Sequence, residues 1–250
     1  MSIALVTGGS RGLGRNMALK LAQSGHDILL TYVSNPSAAD AVVSEIKALG
    51  RRAHALKLDV SDALGFPAFF ETVRAALRSE FDSERFDYLV NNAGVGFNKP
   101  FQETTVEDFD LMMNVHLKSA FFLTQGALEL LNNGGGVVNV SSGLTRFSFP
   151  GYDAYATMKG GVEVMTKYMA QALGSRGIRV NVLAPGAIET DFGGGAVRDT
   201  PTLNQAIAEH TALGRVGLPE DIGGVVAFLC SDAARWITGT RIEASGGMWL

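Results

Sequence analysis

The chain has 250 residues, 46% of them hydrophobic, which is material for one large α/β core. Its 21 basic and 25 acidic residues leave a net charge of −4 with no block of like charge, so nucleic acid and anionic membranes are not expected partners. No apolar run reaches the roughly 18 residues that a membrane span needs. The N-terminus has no basic segment ahead of its first apolar run, so it reads as a strand, Ile3–Thr7, and not as a secretory leader. Thr7-Gly8-Gly9-Ser10-Arg11-Gly12-Leu13-Gly14 follows, and then Leu13, Met17, Ala18 and Leu21 recur at helical spacing up to Gly25. A glycine turn between a strand and a helix allows positive φ and close backbone approach. The helix start then offers free N–H groups to a pyrophosphate. Gly8, Ser10, Arg11, Gly12, Leu13 and Gly14 are therefore candidates for holding a dinucleotide.

The second strand, Asp27–Tyr32, runs into Val33-Ser34-Asn35. An NAD site usually places a carboxylate there for the ribose 2′-hydroxyl, and this chain has none. Arg11 can meet a 2′-phosphate, with Ser34 and Asn35 adding neutral hydrogen bonds, so NADP(H) is expected over NAD(H). Val42, Ile46 and Leu49 mark a second helix before Gly50. Further strands are expected at Ala53–Leu58, Asp87–Asn91, Gly136–Ser141, Ile178–Leu183 and Arg241–Glu243. All are short and rich in Val, Ile and Leu without alternation, as strands covered on both faces are. Repeated strand–helix units give one α/β domain over 1–250, a doubly wound parallel sheet of seven strands with helices on both faces. The least regular stretch is Phe192–Thr211, where Gly193-Gly194-Gly195 is either a plain loop or the hinge of a lid. Pro219 with Glu220 and Asp221 opens a last helix. The lone Cys230 lies in an apolar run and reads as core, which fits a reducing cytoplasm. His26, His54, His116 and His210 show no ligand spacing, so no metal site is expected.

Tyr155 and Lys159 lie four residues apart, on one face of a helix, with Ser142 thirteen residues before the tyrosine. A free phenol, with a pKa of about 10, is a poor proton donor at neutral pH. A nearby ammonium favours phenolate, and a tyrosine tuned in this way can protonate a carbonyl oxygen or deprotonate an alcohol.

Together these residues resemble the short-chain dehydrogenase/reductase family in its 250-residue, single-domain Rossmann form, along the whole chain. Asp59-Val60 is similar to the family's adenine-contacting pair. Asn91-Asn92-Ala93-Gly94 is similar to its signature after the fourth strand, with Asn91, Ala93 and Gly94 as cofactor candidates. Pro185, Gly186, Ile188 and Thr190 match the stretch after the sixth strand, which also holds Asn181; Thr190 answers to the threonine on the nicotinamide carboxamide. The resemblance implies a catalytic set of Asn114, Ser142, Tyr155 and Lys159. In it Tyr155 is the acid, Ser142 orients the carbonyl, Lys159 lowers the Tyr155 pKa and holds the nicotinamide ribose, and Asn114 places a relay water. The thirteen-residue offset selects Ser142 over Ser141, and Tyr152 has alanine, not lysine, at i+4. Within the family the chain is similar to 3-oxoacyl-[acyl-carrier-protein] reductases, which implies NADPH-dependent reduction of a 3-oxoacyl thioester or similar ketone by a homotetramer. An NAD-dependent alcohol or sugar dehydrogenase, or a non-catalytic dinucleotide sensor, are the other readings. Leu131-Asn132-Asn133-Gly134 stands where those reductases are often basic, leaving Arg176 for carrier docking, and Ser245 stands where an aspartate is usual. Leu144, Phe147, Phe149, Tyr152, Ile188 and Phe192 are pocket candidates, and Val162, Met165, Met169 and Ala172 suit a subunit face or ordinary core.

Overall fold

The structure is a computed structural model that describes residues 2–250. Unalternating apolar runs form β1 (Ile3–Val6), β2 (Asp27–Tyr32), β3 (Ala53–Lys57), β4 (Phe86–Asn91), β5 (Leu131–Val140), β6 (Arg179–Pro185) and β7 (Arg241–Ala244). They make one parallel sheet in the order β3-β2-β1-β4-β5-β6-β7. Both faces are covered, so both sets of alternate side chains are apolar. Ala4, Val6, Ile28 and Leu30 pack on α1 (Gly12–Gln23), α2 (Pro36–Ala48) and, further along the chain, the helix Glu220–Leu229. Ile3, Leu5, Leu29 and Leu89 pack on the opposite side, on α3 (Phe66–Phe81) and its neighbours.

The strand order reverses between β1 and β4, which opens a crevice at the carboxyl ends of the strands. The register, Val6 level with both Leu30 and Val90, sets Thr7, Thr31 and Asn91 at one level, buried beneath that crevice. After β4, α4 (Val106–Met112) starts on a capping box between Thr105 and Asp108. It passes through a π-helical turn at Met113–Lys118 into α5 (Ser119–Ala127). α6 (Asp153–Leu173) then carries the Tyr155–Lys159 pair.

Two elements differ from the sequence expectation. β5 begins at Leu131, not Gly136, because Phe86 pairs with Leu131 before a register shift at Tyr88. A Cβ at Gly135 would lie 2.2 Å from the Asp87 carbonyl, so the irregularity depends on glycine there. Phe192–Thr211 is largely helical. Gly193, Gly194 and Gly195 form one left-handed turn (φ +60°, +73° and +80°), followed by α7 (Ala196–Asp199) and α8 (Pro201–Glu209). Arg198 ties the turn to Asp191 at 2.6 Å. The helix Glu220–Leu229 is α9.

Candidate active site

The crevice is a cleft of about 610 Å³ that runs from Ser34 and Asn35 past the glycine turn to an apolar end lined by Phe147, Phe149, Tyr152 and Phe192. At its polar end Gly8 (φ +64°) and Gly12 (φ +53°) take left-handed backbone. A Cβ at Gly14 would fall 2.1 Å from the Gly8 carbonyl, so the turn and the helix approach more closely than any side chain permits. The turn is pinned from below. Gly8 N donates to Thr31 Oγ1 (3.1 Å), Gly9 N to the Thr31 carbonyl (2.9 Å), and Asn92 Nδ2 to the Thr7 carbonyl (2.9 Å). No side chain caps α1, which leaves its first N–H groups for an anion. Beside β2 the cleft is lined by Tyr32, Val33, Ser34 and Asn35, with no carboxylate. The exposed Arg11 guanidinium lies 4.0 Å from Asp191 across the mouth. The Asn35 carbonyl oxygen is spent capping α2 at Ala38 N (3.0 Å), so only its amide hydrogens remain for a ligand. Asp59 lines the cleft beside Val60 and accepts from Ser61 (2.9 Å).

Ser142, Tyr155 and Lys159 meet at the middle of the cleft. Ser142 leaves β5 in extended backbone, and its hydroxyl accepts from Leu144 N (3.2 Å). Ser141 faces away and donates to Glu163 (2.8 Å), so the offset that selected Ser142 agrees with the geometry. Tyr155 and Lys159 are both buried, and Lys159 Nζ donates to the Val140 carbonyl (2.7 Å), 5.6 Å from the Tyr155 ring centre. Tyr155 is boxed by His116 (ring centres 5.0 Å apart, edge-on), Phe192 (5.5 Å) and Tyr152 (6.4 Å).

Burial dominates the electrostatics of this pair in the protein without cofactor. Burial pushes the Tyr155 phenol above its ordinary value, opposed by the Ser142 hydroxyl beside it. Burial also pulls the Lys159 ammonium down to about 7. In the protein alone the lysine does not acidify the phenol, because its own charge is partly suppressed by the same desolvation. A phenol that keeps its proton is the form needed to donate one.

Two expected site residues are not brought to the cleft. Asn91 lies one layer below, where its amide donates to Thr124 (3.0 Å) and Asn139 (2.8 Å). Asn114 is half-buried in the π-helical turn and does not line the cleft. His116, two residues on, does, and positions two apart on a helix face different ways. The remaining cofactor candidates, Gly8, Ser10, Leu13, Ala93, Gly94, Pro185, Gly186, Ile188 and Thr190 among them, all line it, as do Leu144 and Phe147.

Sequence reading missed His116, Asn92, Met248 and the wall supplied by α7 and α8 through Val197, Leu203 and Ile207. Asn92 lay inside a motif already singled out. Met248 is carried into the wall by Arg146, which donates to the Met248 and Trp249 carbonyls and pairs with Glu243 at 2.8 Å. Ser245 donates to the same carboxylate (2.6 Å), and these contacts, Arg146 foremost, hold Glu243 down at about 2. Arg176 is consumed by the fold, donating to Asn133 (2.8 Å) and the Leu128 (2.9 Å) and Leu131 (2.6 Å) carbonyls. Among the described residues no three His, Cys, Asp or Glu side chains gather as a metal site, and no helix is long and apolar enough to cross a membrane.

A switch-point crevice with a glycine cradle, joined to a buried tyrosine–lysine–serine cluster, defines a dinucleotide-dependent oxidoreductase. A model of the family described as enoyl-(acyl carrier protein) reductase matches residues 8–249. The chain belongs to the short-chain dehydrogenase/reductase family. It is 38% identical over 249 residues to a 3-oxoacyl-[acyl-carrier-protein] reductase of Staphylococcus aureus, covering 99% of this chain and 98% of the relative. Among solved structures it is 39% identical to the reductase LugOII, which catalyses keto-reduction at C1 during lugdunomycin biosynthesis (TM-score 0.94; 100% of this chain, 98% of that one). It is also 39% identical to the landomycin C-6 ketoreductase LanV solved with NADP and rabelomycin (TM-score 0.90; 99% and 96%).

Proposed function

We propose that the protein reduces a ketone to a secondary alcohol with NADPH. The observation that carries this is the cleft itself, where Ser142 and a protonated Tyr155 lie between a dinucleotide cradle and an apolar, aromatic chamber. The cradle fits the cofactor, since the Gly8–Gly14 contact distance leaves backbone where a side chain would stand, and α1 presents uncapped N–H groups. Gly8, Ser10, Gly12, Leu13 and Gly14 would hold the pyrophosphate. Asp59 and Val60 would flank the adenine, and Arg11 with Ser34 the 2′-phosphate. Bound there, NADPH supplies the hydride. Tyr155 donates its proton to the substrate oxygen, Ser142 donates a hydrogen bond to the same oxygen, and the aromatic wall excludes water.

An aromatic or fused-ring ketone suits the chamber better than a carrier-bound thioester. Phe147, Phe149, Tyr152 and Phe192 offer flat faces, and LugOII and LanV are by name a reductase of lugdunomycin biosynthesis and a landomycin ketoreductase. Arg176, the cation left for carrier docking, is already engaged. The absent carboxylate after β2 also disfavours an NAD-dependent alcohol dehydrogenase. We further place the enzyme in the cytoplasm as a homotetramer, on the family resemblance and the lone buried Cys230.

Tyr155→Phe is expected to remove most ketone reduction, by about 10²-fold or more, while NADPH still quenches tryptophan fluorescence as in the wild type. Near-normal turnover in that variant would overturn the assignment, and tighter binding of NADH than NADPH would overturn the cofactor choice. A panel of fused-ring ketones, simple thioesters and carrier-bound thioesters, read by NADPH oxidation, ranks the substrates.

A further inference from the structure

We propose that Arg146 is a specificity-determining positioning residue: it clasps Met248 and Trp249 of the C-terminus to the loop after Ser142, and so sets the aromatic wall against which a planar ring ketone lies. The proposal deepens the ketone-reducing role given above and rests on it. Arg146 stands four residues after Ser142 and spends its guanidinium on three partners. Nη1 donates to the Trp249 carbonyl (2.7 Å), Nη2 to the Met248 carbonyl, and Nε (3.0 Å) and Nη2 (2.8 Å) to the Glu243 carboxylate. A guanidinium is a flat, rigid fork, so the carboxylate and the two carbonyls are fixed relative to one another.

The clasp is tied to the helix that carries Tyr155. Glu243 also accepts from Arg241 (2.8 Å), and Arg241 donates to Glu163 (2.8 Å), one helical turn beyond Lys159 on α6. Glu163 in turn accepts from Thr145 (2.7 Å) and from Ser141 (2.8 Å), the neighbours of Arg146 and Ser142. Charges of alternating sign thus run from α6 to the C-terminus. None of the four side chains is more than 33% exposed, so solvent screens them less than it would on an open surface. The C-terminal segment needs that hold. Gly246 (φ +64°) and Gly247 (φ +78°) leave it pliant, and Trp249 itself takes left-handed backbone (φ +48°), which a bulky residue adopts only where its surroundings impose it.

Trp249 does not line the cleft but backs residues that do. Its ring packs on Phe147 (ring centres 4.7 Å apart) and Phe149 (6.2 Å), and on His210 (5.2 Å) just past α8. The Arg146 guanidinium lies 5.5 Å from the Phe147 ring centre, a cation–π contact. Arg146 therefore supports Phe147 both directly and through Trp249. A ketone carried on flat fused rings gains from a wall already held in place, whereas a small ketone seated at Ser142 and Tyr155 touches little of it.

The test compares the wild type with Arg146→Met, Arg146→Lys and Trp249→Ala on one fused-ring ketone and one small cyclic ketone. Methionine keeps the stem and loses the fork, while lysine keeps the charge. In Arg146→Met, kcat/KM for the fused-ring ketone is expected to fall at least about tenfold more than that for the small ketone, chiefly through KM. NADPH affinity, read from the cofactor's own emission, stays unchanged. Arg146→Lys recovers only part of the difference, because an ammonium cannot serve a carboxylate and two carbonyls as a fork does. Trp249→Ala is expected to show the same loss of selectivity even where Arg146→Met does not fold. Equal or absent losses on the two ketones would overturn the proposal. So would full recovery by lysine, or a wild type that prefers the small ketone. In a Trp236→Phe background Trp249 is the sole tryptophan, and Arg146→Met is expected to shift its emission to the red; unchanged emission would refute the clasp. A wild type that reduces no ketone would instead strike the activity, leaving this emission test intact.

Discussion

Lys159 sets the energetics of the site at the scale of single residues. Its ammonium is buried and held down at about 7 from an ordinary 10.5. The unfolded chain therefore binds more protons than the folded one between these values, and stability rises with pH across that window. Below about pH 7 the full cost of burying the charge is present. Lys159→Met removes that cost but also strips the Val140 carbonyl of its donor, worth about 1–3 kcal/mol. Since each pKa unit corresponds to about 1.4 kcal/mol, the balance favours the variant. Cofactor-free Lys159→Met is expected to be more stable than the wild type at pH 7 by about 1–3 kcal/mol, and to lose the rise in stability above neutrality. Thermal unfolding from pH 6 to 10 measures both, and a less stable variant with an unchanged pH profile would contradict this account. The enzyme thus gives up stability where it works, and the same burial keeps Tyr155 protonated.

At the scale of elements, the strands and the glycine turn were legible because their signals are local: apolar runs for buried strands, and glycine where φ is positive. The helices of Phe192–Thr211 were hidden by their glycine start, since Gly193 to Gly195 turn the chain before α7 and α8 begin. The π-helical turn was illegible for a different reason. It alters which residue faces the cleft without altering composition, so the sequence did not reveal that the turn presents His116 there. Asn92 shows the same limit, for nothing in its spacing reveals that its amide reaches back to Thr7. That bond ties β4 to the turn after β1. Asn92→Ala is therefore expected to weaken NADPH binding about tenfold, or about 1.4 kcal/mol, by loosening the cradle. Fluorescence titration checks this, and an unaltered dissociation constant would show that the turn is held by Thr31 alone.

At the scale of the whole molecule, α6 and α5 carry exposed apolar side chains. The stripe that the sequence left open as a subunit face or ordinary core is mostly core, because Val162 and Met165 pack on Ala120 within the chain. The exposed apolar stripe is the adjacent one, Val164 (55% exposed), Tyr168 (76%) and Ala172, at i, i+4 and i+8 on α6. Phe121 and Phe122 are exposed on α5, which meets α6 through Ala120. In a two-fold contact each residue is buried twice, and burying one such side chain contributes about 1.5–3 kcal/mol. A charge placed there is likewise counted twice. Val164→Glu with Tyr168→Glu is expected to reduce the particle mass seen by light scattering from a tetramer to a smaller species, while NADPH binding survives because neither residue lines the cleft. A wild type that scatters as a monomer would remove the tetramer. A double variant of unchanged mass would move the contact off α6, and with it the idea that the helix bearing Tyr155 and Lys159 is braced by a second subunit.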